Sequence, residues 1–141
     1  MKWVYDDPSS RYFETHENDS ISRSISIATG ISYDRVQAML DKYIERECLD
    51  DKYVNNSRLK LRKEVAPMFL KDLGSSWVCK MQFSGGCKFH LKDGELPKDK
   101  TLIVNISKHF TCVKDGIIHD LYDPSRDGTR AVYGYYIKEG G

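Results

Sequence analysis

The spacing of apolar residues predicts helices in the first half of the chain. In residues 18–29 the apolar side chains recur at the period of one helix face; they are Ile21, Ile25 and Ala28. Asn18 is the predicted N-cap of this helix, because a short side chain with an oxygen acceptor suits that position. Gly30 is predicted to end the helix, since glycine adopts the left-handed conformation found there.

The same period continues in two further segments. A second helix is predicted from Ser32, its N-cap, to about Glu47. A third is predicted from about Arg62 to Leu73, with Pro67 weakening or kinking it. The first half of the chain is therefore helical in its apolar pattern.

After Gly74 the pattern becomes strand-like. Runs rich in β-branched and aromatic residues predict strands at 77–83, 102–106, 110–113, 117–121 and 132–137. The dipeptide Asp115-Gly116 is typical of a tight hairpin turn between two of them. Helices followed by an antiparallel sheet predict an α+β fold, with residues 1–141 as a single domain.

The composition and net charge of the chain are typical of a globular protein and exclude few classes of function. The 141 residues are 40% hydrophobic and 30% charged, with a formal net charge of +1. That balance gives no general attraction to nucleic acid or to a membrane surface. No apolar run approaches the ~20 residues of a membrane span, and the N-terminus lacks a signal-peptide core, so a cytoplasmic location is expected.

The four cysteines, Cys48, Cys79, Cys87 and Cys112, have no CxxC spacing. We therefore predict free thiols, with neither a metal site nor a cofactor. Cys112 lies three residues after His109, and an odd separation on a strand points two side chains to opposite faces. Cys112 is accordingly predicted to be a core residue.

Three residues have the chemistry that acyl transfer needs. Ser20 falls in the first turn of the predicted first helix, where free N–H groups and the helix dipole stabilise an anion. His109 and Asp120 lie nearly symmetrically about the Asp115-Gly116 turn, so their side chains are expected across from each other or one diagonal step apart. A nucleophile, an imidazole base and an orienting carboxylate would then be available. Taken singly, each has a plainer interpretation as a capping serine, a packed histidine and a turn-forming aspartate.

Two stretches resemble small papain-like proteins of bacteria and their phages. The first is an opening helix of the Asn-Asp-Cys type, seen here as Asn18-Asp19-Ser20 and continuing to Gly30. The second joins His109 to Asp115-Gly116-Ile117-Ile118, Asp120 and Arg130-Ala131-Val132-Tyr133-Gly134-Tyr135-Tyr136. The resemblance covers residues 15–47 and 96–137.

The resemblance implies a papain-like fold and a cysteine hydrolase acting on a peptide or isopeptide bond of a protein or peptide substrate. Carried over by position, the catalytic Cys, His and Asp fall on Ser20, His109 and Asp120, and Asn18 is the candidate oxyanion-hole donor. The departure is Ser20 itself. A hydroxyl does not ionise beside an imidazole as a thiol does, so the site is expected to be inactive as given.

Several interpretations of the serine stay open at this point. It is a substitution that silences a cysteine enzyme, a natural feature of a pseudoenzyme, or the nucleophile of a serine hydrolase. A non-catalytic papain-fold module would engage a host protein or small ligand through a cleft formed by Trp77, Tyr133, Tyr135 and Tyr136. A nucleic-acid role ranks third, because a solvated helix start explains the basic cluster Arg58, Lys60, Arg62 and Lys63 equally well.

Overall fold

Three helices and eight strands occur in the described residues of a computed structural model, namely 1–8, 19–47, 58–82, 86–87 and 89–138. The helices are α1 (Ser20–Thr29), α2 (Tyr33–Arg46) and α3 (Arg58–Asp72). Helix α3 begins earlier than predicted and contains Pro67. None of the helices in these ranges has the length and apolar character required to cross a membrane.

The ends of α1 and α2 show which capping predictions hold. The N-cap of α1 is Asp19 rather than Asn18, which lies outside the described residues. Gly30 ends α1 at a φ of 78°, and its N–H donates to the Ser26 carbonyl at 2.9 Å, as predicted for a left-handed cap. Ser32 caps α2 as predicted, because its hydroxyl accepts from the Arg35 N–H at 3.3 Å.

Six of the strands form one sheet in the order β1-β7-β6-β5-β8-β2. Strands β3 and β4 form a separate two-stranded hairpin. The bounds are β1 (Trp3–Tyr5), β2 (Ser75–Cys79), β3 (Met81–Gln82), β4 (Gly86–Cys87), β5 (Thr101–Ile106), β6 (His109–Lys114), β7 (Ile117–Asp120) and β8 (Gly134–Lys138). The predicted strand at 77–83 is thus divided, and Gly134–Lys138 replaces the predicted 132–137.

The large sheet is mixed, which corrects the expectation of an antiparallel sheet. Strand β1 pairs in parallel with β7, with Tyr5 beside Asp120, while the other neighbours in the large sheet are antiparallel. The predicted hairpin between β6 and β7 is present, and Asp115 and Gly116 have φ values of 50° and 80°. Positive φ at both central residues is the requirement of this tight turn. The fold is α+β, as predicted.

The sheet separates two apolar clusters. On one face, Ile21 and Ile25 of α1 pack with α2, α3, Ile103 and the partly buried Phe110. On the other face, the buried residues come from the sheet and from the chain segments that precede β5 and β8; they are Leu91, Leu96, Leu102, Val104, Ile106, Val113, Ile118, Val132 and Tyr135. The candidate site lies where β6 begins and β7 ends.

Candidate active site

His109 and Asp120 form a buried pair across β6 and β7. Their side chains are joined at 2.7 Å between His109 Nε2 and Asp120 Oδ2, and the two residues are 8% and 3% exposed. The β6–β7 register pairs Cys112 with His119, so Asp120 lies opposite Thr111 and one diagonal step from His109. The cross-strand placement predicted from the turn is therefore observed. The catalytic roles of the two residues stay predictions.

The Asp120 carboxylate is held on both oxygens. Its Oδ1 accepts from the Leu121 N–H at 2.7 Å, while Oδ2 contacts His109. The Asp120 carbonyl accepts from the Asp6 N–H at 3.0 Å, which ties the residue to the end of β1. A carboxylate fixed in this way can orient an imidazole without moving itself.

An aromatic ring covers the imidazole. The Tyr122 ring centroid lies 5.3 Å from that of His109, with an interplanar angle of 38°, and Tyr122 is 48% exposed. His109 Nδ1 has no hydrogen bond to any described residue, so it is the nitrogen left for a nucleophile or ligand. Sequence reasoning missed Tyr122. The available signal was its position in the turn two residues after Asp120.

Ser20 reaches the start of β6 from the first turn of α1. Its Oγ accepts a hydrogen bond from the Phe110 N–H at 3.1 Å. Strand β7 ends at Asp120, so β7 provides no ladder partner for the Phe110 amide, and the hydroxyl takes that place. In the described part of the chain, no hydrogen bond joins Ser20 Oγ to His109.

Neighbouring residues of β6 place their side chains on alternate sides of the sheet. Along β6, His109 shares a face with Val113, which belongs to the cluster away from the helices, whereas Phe110 packs with the helices. Ser20 approaches β6 from the helix layer. The structure thus brings Asp120 to His109 and brings Ser20 to the backbone of the next residue. Asn18 lies outside the described residues.

A buried polar network supports the first turn of α1. Arg23 forms an ion pair with Asp19, and the other Asp19 oxygen accepts from the Tyr33 hydroxyl at 2.6 Å. The network continues from Gln37 Nε2 to the Tyr33 oxygen at 2.8 Å and from the Ser22 hydroxyl to Gln37 Oε1 at 2.8 Å. Asp19 and Arg23 are 1% and 5% exposed. The sequence signal for it was the four-residue spacing of Asp19 and Arg23 on a helix.

Cys112 is buried, in agreement with its predicted place in the core. The pKa of its thiol is raised to about 12, mainly by burial; the charge of Lys114 opposes this rise, and the charges of Asp6 and Asp120 contribute to it. A thiol with such a pKa stays protonated and unreactive at neutral pH. Cys79 is exposed, and Cys48 lies outside the described residues. Within the described ranges, no group of three His, Cys, Asp or Glu residues could hold a metal ion.

The residues of the alternative binding cleft are divided between the two faces of the sheet. Trp77 and Tyr136 are cross-strand neighbours with ring centroids 4.9 Å apart, and Tyr136 packs with the helix-side cluster. Tyr135 is buried in the other cluster. The sequence prediction of one cleft lined by all these aromatic residues is therefore wrong.

The basic cluster near the start of α3 is partly neutralised. Arg62 makes two hydrogen bonds to the Asp41 carboxylate, from Nε at 2.8 Å and from Nη2 at 3.0 Å. Lys63 lies 5.7 Å from the centre of the Phe110 ring. Arg62 is therefore paired with α2, and Lys63 lies beside an aromatic ring of β6.

The chain matches no family model, no curated protein and no solved structure.

Proposed function

We propose that this protein is a cytoplasmic papain-like hydrolase domain for peptide or isopeptide bonds in which Ser20 occupies the position of the nucleophile. His109 is the general base and acid, and Asp120 orients its imidazole. The observation that carries the proposal is the buried 2.7 Å contact between His109 Nε2 and Asp120 Oδ2. We expect the protein to be inactive with oxygen at position 20.

Two considerations support the expectation that an oxygen at position 20 is inactive. A thiol beside an imidazole ionises before the reaction, with a pKa lowered to as little as ~3–4, whereas a hydroxyl needs an aligned base in the transition state. Here the Ser20 oxygen accepts the Phe110 N–H at 3.1 Å and makes no hydrogen bond to His109 among the described residues. Misplacement of a reacting atom by ~1 Å can cost ~100-fold in rate.

A binding module is the second candidate, and one observation favours it. The half-exposed Tyr122 ring lies against His109, so a ligand entering from solvent would meet an aromatic surface before the imidazole. Aromatic rings of this kind supply large contact area in ligand sites. In this alternative the Ser20–Phe110 hydrogen bond is structural, and Tyr122 contacts a protein or small ligand.

The deciding experiment measures the alkylation rate of the Ser20→Cys variant by iodoacetamide as a function of pH. Modification is located by peptide mass spectrometry, because Cys79 is also exposed. For a hydrolase site we expect fast alkylation well below the ordinary thiol pKa of ~8.5. The rate should collapse when His109→Ala is added, because the imidazolium no longer stabilises the thiolate.

Ser32→Cys is the matched control. Ser32 is exposed and caps α2, so a thiol there has a helix N-terminus beside it, while the His–Asp pairs among the described residues lie on β6, on β7 and directly after β1. If both variants react with the same pH profile, and His109→Ala changes neither, the hydrolase proposal is wrong. The binding-module function then takes its place.

A further inference from the structure

Strand β1 leaves an apolar edge open to solvent. Its three residues, Trp3, Val4 and Tyr5, are 40%, 43% and 66% exposed. In the described part of the chain, β1 is the last strand on its side of the sheet. An open edge without charged side chains among its paired residues is a template for pairing with another strand.

The parallel ladder with β7 determines which main-chain groups face outward. The Ile118 N–H donates to the Lys2 carbonyl at 2.9 Å, and the Asp6 N–H donates to the Asp120 carbonyl at 3.0 Å. Alternate residues of a strand point their N–H and C=O to the same side, so Lys2, Val4 and Asp6 face β7. Trp3 and Tyr5 therefore direct two N–H and two C=O groups away from the sheet.

We propose that β1 pairs antiparallel with β1 of a second copy of this chain. Val4 lies at the two-fold axis, and Trp3 lies opposite Tyr5 of the second copy. In an antiparallel pair, hydrogen-bonded residues exchange both main-chain bonds. This register places all four outward-facing residues in such pairs, which gives four bonds. Counting only residues of β1, a register centred on Trp3 or on Tyr5 would leave one such pair.

Side-chain chemistry selects the same register. Lys2 falls opposite Asp6 of the second copy, and the two-fold symmetry repeats this opposite-charge pair. Trp3 and Tyr5 form two aromatic cross-strand pairs on the other face of the sheet. Opposite charges and aromatic residues directly across an antiparallel pair are stabilising contacts. The surface is therefore self-complementary in hydrogen bonds, charge and aromatic contacts.

Disulfide trapping tests the position of the axis. In the Cys79→Ser background, Val4→Cys places two thiols at a non-hydrogen-bonded pair, where Cα atoms are ~4.5 Å apart and a disulfide fits. We expect a covalent dimer on mild oxidation, seen on a non-reducing gel and mapped by mass spectrometry. Tyr5→Cys is the control, because residue 5 is more exposed but does not face itself in this register. Equal cross-linking of the two variants would overturn the proposal.

Charge exchange tests the register in solution by sedimentation of the full chain over a concentration series. Lys2→Glu and Asp6→Lys each place like charges opposite one another, so each variant alone should dimerise about tenfold more weakly. A mixture of the two restores both opposite-charge pairs and should recover the original dissociation constant. A chain that stays monomeric at all concentrations, or a dimer insensitive to these changes, would show that β1 does not form this interface.

Discussion

The Ser20 hydroxyl accepts the backbone N–H of Phe110 at 3.1 Å and so joins the first turn of α1 to the start of β6. This contact lies one residue from His109. The hydrogen bond also has a structural role that does not depend on catalysis. It gives the Phe110 N–H an acceptor, which β7 does not provide.

Ser20→Ala is expected to lower the free energy of unfolding by about 1–2 kcal/mol. The loss arises because the Phe110 N–H is left without its acceptor in a partly buried place. Urea unfolding followed by circular dichroism measures it. Ser32→Ala is the comparison for an exposed helix cap, and Ser20→Ala should disturb the amide resonance of Phe110 while Ser32→Ala leaves it unchanged. No change at Phe110 would contradict the contact.

Asp120→Asn is expected to cost about 1–3 kcal/mol of stability, because the buried pair with His109 loses its charge and one of its two acceptors. Asp6→Asn is the matched control, since Asp6 pairs with His119 at 3.1 Å in a more exposed setting. The control should cost less than about 1 kcal/mol, as exposed ion pairs do. Equal losses for the two variants would mean that burial of the His109–Asp120 pair has no energetic consequence.

Arg23→Ala is expected to destabilise the fold by about 3–5 kcal/mol, because it leaves the buried Asp19 carboxylate without its ion-pair partner. Denaturant midpoints with unchanged m-values would measure the loss. Arg62→Ala breaks the ion pair with Asp41, whose side chains are 16% and 32% exposed, and should cost far less. If Arg23→Ala were the milder of the two, the buried network would not be holding α1.

The Cys112 thiol should make the fold less stable at alkaline pH. Its pKa is raised by burial from 9.0 to about 12, so above pH 9.0 the unfolded chain loses this proton while the folded protein keeps it. The unfolded state then binds fewer protons, and stability falls with rising pH by about 1.4 kcal/mol per unit across this interval.

The measurement for Cys112 is a difference between the protein and Cys112→Ala across that pH interval. The subtraction is needed because burial also raises the pKa of Tyr135 and Tyr136. These two tyrosines therefore also lower the stability of the fold as the pH rises. In the variant, the free energy of unfolding should fall less steeply with rising pH, because the contribution of the thiol is absent. Parallel curves for the two proteins would show that Cys112 ionises equally in the folded and unfolded states.

Local sequence signals located the His109–Asp120 pair but not the surroundings that hold it. The Asp115-Gly116 turn limits the β6–β7 register to a few residues, so spacing predicted that the two side chains lie directly across from each other or one diagonal step apart, and the structure has the diagonal placement. The N-cap of α1 was misplaced by one residue because Asn18 and Asp19 have similar capping preferences. The fold class was predictable from the change of period near Gly74.

Long-range partners were out of reach of such signals. Strand β1 is three residues long, and its partner β7 lies more than a hundred residues away, so the first residues carried no evidence of a parallel edge. The contact of Ser20 with the Phe110 amide and the contact of Asp19 with Tyr33 likewise depend on how separate elements pack. Patterns of hydrophobicity predict each helix or strand but not the tertiary contacts between them.

The parallel pairing of β1 with β7 also sets an order of events during synthesis on the ribosome. Trp3, Val4 and Tyr5 leave the ribosome well before β7, the strand with which they pair, which ends at Asp120. At about 5–20 residues per second, this apolar segment emerges roughly 6–23 s before its partner strand is complete. During that interval a neighbouring nascent chain on the same message could present the same edge. Among the described strands of the large sheet, β1 is therefore the one that is separated longest from its partner and exposed longest to chaperones and to other copies of itself.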